Sequence, residues 1–504
     1  MTCRRWLPTS GGVPKMVLER VYQVATETPD DLAIIDDPVT LTYGDLAGRA
    51  AALAEFLRSR AGLRQGGIAA VSLPNCWQYP ICFFAVAGLG GICMPFNSQW
   101  RANEIHWFVR RLGIGIAITC RDLRPAWDEA ARDLPGLQVH TIDGGELEDV
   151  LITRSAADLP LVNGVFPALY LATSGSTGRP KVVPRTHQNL LAGARAVAAA
   201  LDVQRGARFL SVVPFHHANG FANGMFLPLT SGGAVVLVRK ALPSVLAEKV
   251  HRHGVEIVNM SPILYSLLAE HGVEPEEFGS VKIYLSSGAP LPPVLAQAWR
   301  ERFGQPIRQL YGSSETGTLC IEGAGSAADG SVGKPLATVT VQVLDSEGRP
   351  LPVGQHGEIA VRGPAMMTGY VDEPELNHTA FAQGLFRMGD LGHLTADGEL
   401  VLEGRSKRWI NSGGVKVDPV EVENVIHRLA AVAQCKVIPG RDSRGLEVIR
   451  ALIVLRPDAQ VTRREIVSHC RQELAEYKIP RMIEFVDAMP VDLAGKTPME
   501  WLAQ

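Results

Sequence analysis

The chain has 504 residues, 46% of them hydrophobic and 20% charged, which is too long for one ordinary domain and too apolar for a disordered protein. A formal net charge of −3 gives no electrostatic footprint for nucleic acid or an anionic membrane surface. The eight cysteines (Cys3, Cys76, Cys82, Cys93, Cys120, Cys320, Cys435, Cys470) form no CxxC pair and no zinc-like spacing, so a reduced, cytoplasmic compartment is expected.

Residues 1–16 (MTCRRWLPTSGGVPKM) carry a basic pair but no apolar segment, and are read as a disordered extension, not a secretory signal. Val17–Thr28 has helical periodicity. Short strands are expected at Leu32–Ile35 and Leu41–Tyr43 around an Asp36-Asp37-Pro38 turn, then a helix over Tyr43–Arg58 and a strand at Ile68–Leu73. Tyr79–Phe96 is apolar enough to suggest a membrane span. Pro80, Pro95 and three glycines instead favour a buried core helix followed by a strand.

Apolar, often β-branched runs recur at Ile114–Thr119, Leu137–Thr141, Ala168–Ala172, Phe209–Val213, Ala234–Val238, Ile257–Met260 and Lys282–Ser286. Helical patterns such as His187–Leu201, Ser244–His253 and Pro262–His271 separate most of them. This alternation predicts an α/β fold with parallel-rich sheets flanked by helices, where ligands sit in loops at the carboxyl ends of strands. Val339–Leu344, Gly357–Val361 and Leu400–Glu403, with Gly/Pro turns between them, read as a β-rich subdomain. A fresh α/β pattern follows, with a helix opening on Asp418-Pro419-Val420-Glu421. The expected division is a large unit over 17–404 and a small α+β unit over 405–504.

Residues 173–181 read TSGSTGRPK, directly after an apolar run. A hydrolytic P-loop requires Gly-x4-Gly-Lys-Ser/Thr. Counted from Gly175, Pro180 takes the second glycine position and Val182 the hydroxyl position, so that pattern fails twice. The means of holding phosphate remain: glycines that let backbone N–H groups converge, hydroxyl donors and Lys181. The bland alternative is a polar turn between a strand and a helix.

TSGSTGRPK followed by His187-Gln188-Asn189 resembles the signature of the adenylate-forming enzymes, which include acyl- and aryl-CoA synthetases, nonribosomal-peptide adenylation domains and firefly luciferase. YGSSETG (Tyr311–Gly317), GDLG (Gly389–Gly392), EGRSKRWINSGGVKVDPVEVE (Glu403–Glu423) and AGKTP (Ala494–Pro498) follow in that family's order. The resemblance implies a carboxylate joined to the α-phosphate of ATP with loss of pyrophosphate, then transfer of the acyl group to a thiol. A carboxylate is already ionised at neutral pH, so this chemistry needs positioning and cations more than a general base.

The same resemblance implies a set of site residues. Thr173, Ser174, Gly175, Ser176, Thr177, Gly178 and Lys181 would embrace the β- and γ-phosphates. Glu315 would hold Mg2+, with Gly312, Ser313 and Ser314 in the same motif; Ser314 keeps the hydroxyl of a more usual threonine. Tyr311 would flank the adenine, Ser287, Gly288 and Ala289 would line its other side, and Asp390 would accept from the ribose hydroxyls, backed by Arg405. Lys496 would bridge the carboxylate and the α-phosphate. Lys407 would be the hinge about which the small domain turns, and Gly413 and Gly414 would border a thiol channel.

The string Phe215-His216-His217-Ala218-Asn219-Gly220 has histidine where amino-acid-activating relatives carry aspartate, which points to aryl or fatty acids. His217 is assigned the gate beside the acid, with His216 second; no third ligand lies near enough in sequence to suggest a metal. The expected pocket walls are Phe221, Asn223, Ser261, Tyr265, Ser313, Gly317 and Leu319, suited to an aromatic or medium-chain aliphatic carboxylic acid. The expected thiol is that of coenzyme A, with a separate phosphopantetheinyl carrier protein as the alternative, because no carrier motif is fused. A non-catalytic nucleotide-binding protein is the alternative from another class, and intact Lys496, Glu315, Asp390 and Arg405 argue against it. No nucleic acid and no membrane span are expected, and the oligomeric state is left open, a homodimer included.

Overall fold

The computed structural model describes residues 16–100, 102–144, 146–155, 164–173, 181–289, 291–323, 330–405, 410–412, 415–417, 419–442, 447–474 and 476–489. Two large sheets dominate it. The first has six strands in the order Gln138–Thr141, Ile116–Thr119, Ile68–Ser72, Ile92–Pro95, Pro167–Thr173 and Lys181–Thr186. All neighbours in it are parallel except the last pair. The second has nine strands in the order Lys334–Pro335, Gly317–Ile321, Ile307–Ser313, Ile283–Ser286, Ile257–Met260, Arg208–Ser211, Ala234–Leu237, Leu32–Asp36 and Val39–Thr42. Its six inner strands are parallel and its ends antiparallel.

Alternate residues of one strand feed different cores, as the twofold strand period requires. In the six-stranded sheet Val71, Leu169 and Val183 face the main core, while Ala70, Ala117 and Val182 face a separate one. In the nine-stranded sheet Phe209, Val235 and Leu237 join the same main core, while Leu210, Val236 and Val258 face a third. The main core is therefore the layer shared by the two sheets. The helix Gln78–Gly88 lies inside it, with Ile81 to Ala87 fully buried. The apolar stretch read as a core helix and strand is such a pair, followed by Ile92–Pro95. No helix of the described residues is long and apolar enough to cross a membrane.

The strand Lys181–Thr186 is not among the elements expected from the sequence, which place none between the loop and the helix beginning at His187. It pairs antiparallel with Pro167–Thr173, from Pro167↔Thr186 to Thr173↔Lys181. The loop thus joins two strands of a hairpin. Pro184 hides this strand in the sequence, but Lys181–Thr186 is the edge of its sheet, where a missing N–H costs no ladder bond. The helix His187–Leu201 starts only after it, capped reciprocally by Thr186 and Asn189.

Thr340–Leu344, Gly357–Arg362, Leu385–Leu394, Phe381–Ala382 and Leu400–Arg405 form a five-stranded antiparallel sheet. Beyond it, Val432–Arg441, Glu447–Leu455 and Met482–Phe485 make a three-stranded sheet. The helices Pro419–His427 and Arg463–Glu473 cover it, and its core is its own, with Ile410, Val422, Ile449 and Ile466 fully buried.

Candidate active site

The described base of the loop expected to hold phosphate is the closing pair Thr173↔Lys181. Ser174, Gly175, Ser176, Thr177 and Gly178 lie outside the described residues, as do Lys407, Gly413, Gly414 and Lys496. The Lys181 ammonium sits 5.1 Å from the centre of the Tyr370 ring. The Tyr370 hydroxyl donates to Glu315 Oε1 at 2.8 Å, and the Met367 N–H donates to the Glu315 carbonyl at 2.8 Å. Burial, reinforced by the neighbouring Glu315 charge, holds the Tyr370 phenol well above its ordinary value, so it remains a donor.

Arg185 ties this group to the hairpin. It shares the inward face of its strand with Val183, one turn of the strand period away, and is buried. Its guanidinium donates to the carbonyls of Ser314 at 2.7 Å and Ala365 at 2.6 Å. Burial pushes it down to about 10, opposed by Glu315. Gly317 has φ +71°, and a Cβ there would lie 3.1 Å from Arg185, so glycine fits both the turn and the neighbour. Sequence reasoning missed Arg185 and Tyr370. Their signals were a lone cation in the β-branched run VVPRT and a lone phenol after MMTG, but the partners lie 129 and 55 residues away.

The motif Tyr311–Gly317 is itself a strand end and tight turn. The Ser313 N–H donates to the buried Thr316 hydroxyl at 3.1 Å, and Gly312 has no room for a side chain because the Gly317 carbonyl occupies that space. The Tyr311 hydroxyl donates to Asp390 Oδ2 at 2.7 Å, with both residues buried. Asp390 and Arg405 are register partners across adjacent strands. Ser287 follows the neighbouring strand Ile283–Ser286; its Oγ is buried and has no hydrogen-bond partner among the described residues, while Gly288, at φ +88°, and Ala289 are exposed. Lys181, Glu315, Tyr311 and Asp390 are thus linked through Tyr370 and one short motif.

Three of the residues expected to wall the acid pocket, Tyr265, Phe221 and Leu319, are deeply buried. Tyr265 is fully buried, packs edge-on against Trp299 at 4.8 Å, and donates to the Leu285 carbonyl at 2.8 Å. Phe221 packs edge-on against Phe83 at 4.7 Å, and Leu319 is equally buried in the main core. These three side chains fill cores and leave no surface for a ligand. Phe221 is turned inward by a π-helical segment, Gly220–Phe226, whose first residue must be glycine because a Cβ would strike the Pro214 carbonyl.

Ser261, Gly317 and His217 are half-buried, and Asn223 is buried. Asn223 belongs to a polar network that the sequence did not reveal. Its Nδ2 donates to Asn219 Oδ1 at 2.9 Å and to Thr318 Oγ1 at 3.2 Å, and Asn259 Nδ2 donates to Asn219 Oδ1 at 3.0 Å. The rings of His216 and His217 lie 4.3 Å apart. Burial, with His217 adding to it, pushes His216 down to about 3, so that imidazole is neutral at physiological pH.

Comparison with known proteins agrees with this geometry. The profile described as AMP-binding enzyme matches residues 21–371, and that of the AMP-binding enzyme C-terminal domain matches residues 421–496. The chain belongs to the AMP-binding enzyme family, a family of acid–thiol ligases. It is 31% identical over 485 residues to a sulfoacetate–CoA ligase of Cupriavidus necator, covering 94% of each chain. It is 32% identical over 477 residues to a feruloyl-CoA synthase of an Amycolatopsis species, covering 94% of this chain and 95% of that one. Its fold superposes on o-succinylbenzoate–CoA synthetase of Bacillus subtilis in complex with ATP and magnesium ion. The TM-score is 0.87 and the identity 27%, over 96% of this chain and 99% of the other.

Proposed function

We propose that this chain is an ATP-dependent carboxylic acid–CoA ligase in which the residues gathered around Glu315 and Asp390 handle the nucleotide. The observation that carries the reading is the continuous set of contacts from Lys181 through Tyr370 to Glu315, and from the same motif through Tyr311 to Asp390. In the first half-reaction a carboxylate oxygen attacks the α-phosphorus of ATP. The bond to the β-phosphate breaks, and pyrophosphate leaves. In the second, the thiol sulfur of coenzyme A attacks the acyl carbonyl carbon, the thiol proton is lost, and AMP departs.

Both reactants of the first step are anions, so the demand is for fixed cations and donors. In this reading Lys181 and the loop 173–181 hold the pyrophosphate end, Tyr311 and Ser287 border the adenine, and Asp390 and Arg405 take the ribose. Lys496 reaches the reacting oxygens, and the small unit 405–504 turns at Lys407 between half-reactions, with Gly413 and Gly414 beside the thiol path. Glu315 offers a hard carboxylate suited to Mg2+, and Tyr370 fixes one of its oxygens. Bound there, the ion supplies charge neutralisation on the phosphates.

His217 and Asn223 border the acid. The amide network around Asn223 supports an aromatic or medium-length acid that carries a hydrogen-bonding substituent. The two named relatives act on sulfoacetate and ferulate, both acids with polar groups beyond the reacting carboxylate. A panel of carboxylic acids assayed by ATP–pyrophosphate exchange, followed by mass detection of the thioester with coenzyme A, tests the reading. Acid-dependent pyrophosphate release and an acyl-CoA product are expected. Phosphate release without acid would overturn the ligase reading, and a product formed only on a carrier protein would replace coenzyme A as acceptor.

A further inference from the structure

Away from the nucleotide residues, the five-stranded sheet gathers three metal-ligating side chains. His356 immediately precedes the strand Gly357–Arg362, His393 lies in Leu385–Leu394, and Glu403 lies in Leu400–Arg405. Glu403 Oε1 is 2.6 Å from His356 Nδ1 and 2.7 Å from His393 Nδ1. The two imidazole rings are 4.6 Å apart and tilted by 47°. One ligand atom from each of the three residues falls within 4.8 Å of the others.

The backbone brings them together. Gly357 and Gly392 are register partners on adjacent strands. A Cβ on Gly357 would strike the Leu344 carbonyl, and one on Gly392 the Val401 carbonyl. Glycine at both positions therefore allows the close approach that sets His356 and His393 over the same carboxylate. All three residues are fixed to paired strands or stand next to one, which gives the cluster a rigid base.

We propose that His356, His393 and Glu403 bind one divalent transition-metal ion of the zinc or cobalt type, at a site separate from the magnesium position. Two imidazole nitrogens and one carboxylate oxygen are a borderline donor set, suited to such ions and not to magnesium or calcium, which take oxygen ligands. Tetrahedral coordination with bonds near 2.0–2.1 Å separates ligand atoms by about 3.3 Å. Each Nδ1–Oε1 distance would thus open by roughly 0.6–0.7 Å, a side-chain adjustment. His356 is 64% exposed and free to make it, while His393 at 22% and Glu403 at 31% are better held. His356 also lines an open cleft of about 600 Å³ with Asp345, Glu358 and Arg387, which leaves the cluster accessible to solvent and so to a fourth, water ligand.

An ion there would clasp three strands, two of which carry the register pair Asp390↔Arg405. The competing arrangement is a carboxylate oxygen merely shared by two imidazole N–H donors. Titration of the chelator-stripped, tag-free full chain with Co2+ and Zn2+ separates the two. One Co2+ with visible d–d bands is expected, together with a zinc-dependent rise in melting temperature that Mg2+ does not reproduce. His356→Ala/His393→Ala is expected to weaken binding by more than about 100-fold, since loss of outer-shell partners alone costs 10–100-fold. Glu403→Gln, nearly isosteric, keeps the test valid if the double variant folds poorly, and is expected to weaken binding at least about tenfold. Absence of Co2+ binding by the wild-type chain, or equal binding by wild type and Glu403→Gln, would overturn the proposal.

Discussion

Tyr370→Phe removes one hydroxyl and leaves the ring beneath Lys181 in place, so it isolates the 2.8 Å bond to Glu315. A hydrogen bond to a charged group contributes about 1.5–3 kcal/mol. Glu315 is only half-buried, so water can replace the phenol, and the lower end, about 1.5 kcal/mol, applies. If that bond holds the carboxylate in its working position, kcat/KM for ATP falls roughly tenfold. The assay is acid-dependent ATP–pyrophosphate exchange across a Mg2+ titration. The variant should need more Mg2+ and regain part of its activity when saturated. Its melting temperature should move by less than about 4 °C, because only one hydroxyl is lost. Exchange within twofold of wild type at every Mg2+ concentration would refute the role given to Tyr370 and the site geometry built on it.

Lys496→Ala should abolish pyrophosphate exchange while thioester formation from supplied acyl-AMP persists; equal loss of both half-reactions would refute the two-orientation reading. A pH prediction rests on His187, whose Nδ1 accepts the Val17 N–H at 3.4 Å and which burial pushes down to about 4. The unfolded imidazole takes its proton near 6.5, so the stability from this group is complete above that value and is lost as pH falls toward 4. His216 acts with the same sign. Thermal unfolding measured from pH 7 to pH 4 should show a shallower fall for His187→Gln than for wild type, and identical slopes would refute the assignment.

The alternation of helix and strand was legible because runs such as Ile257–Met260 and Ala234–Leu237 are buried on both faces and read as continuous apolar segments. How such runs divide between the six-stranded and the nine-stranded sheet was not, since nothing in a short apolar run says which neighbour it pairs with. The residues proposed for the nucleotide were legible as a motif because Tyr311, Gly312, Ser313, Ser314 and Glu315 are contiguous in the chain. Their supports were not. Arg185 and Tyr370 act across folded distance, and their chemistry depends on burial that the sequence does not state. The packing of Phe221 and Tyr265 was not legible for the opposite reason: they are apolar residues, and a core claims such residues as readily as a ligand does.

The hairpin that carries the loop 174–180 separates the phosphate clamp proposed above from a P-loop in kind. A P-loop rests on a helix N-terminus and draws on the aligned peptide dipoles behind it. Here Lys181–Thr186 stands between the loop and the helix His187–Leu201, so those dipoles begin a full strand away. In the function proposed above, attraction for the leaving anion would then draw on Lys181, which closes the hairpin opposite Thr173, and on donors of the loop itself, and not on an aligned helix.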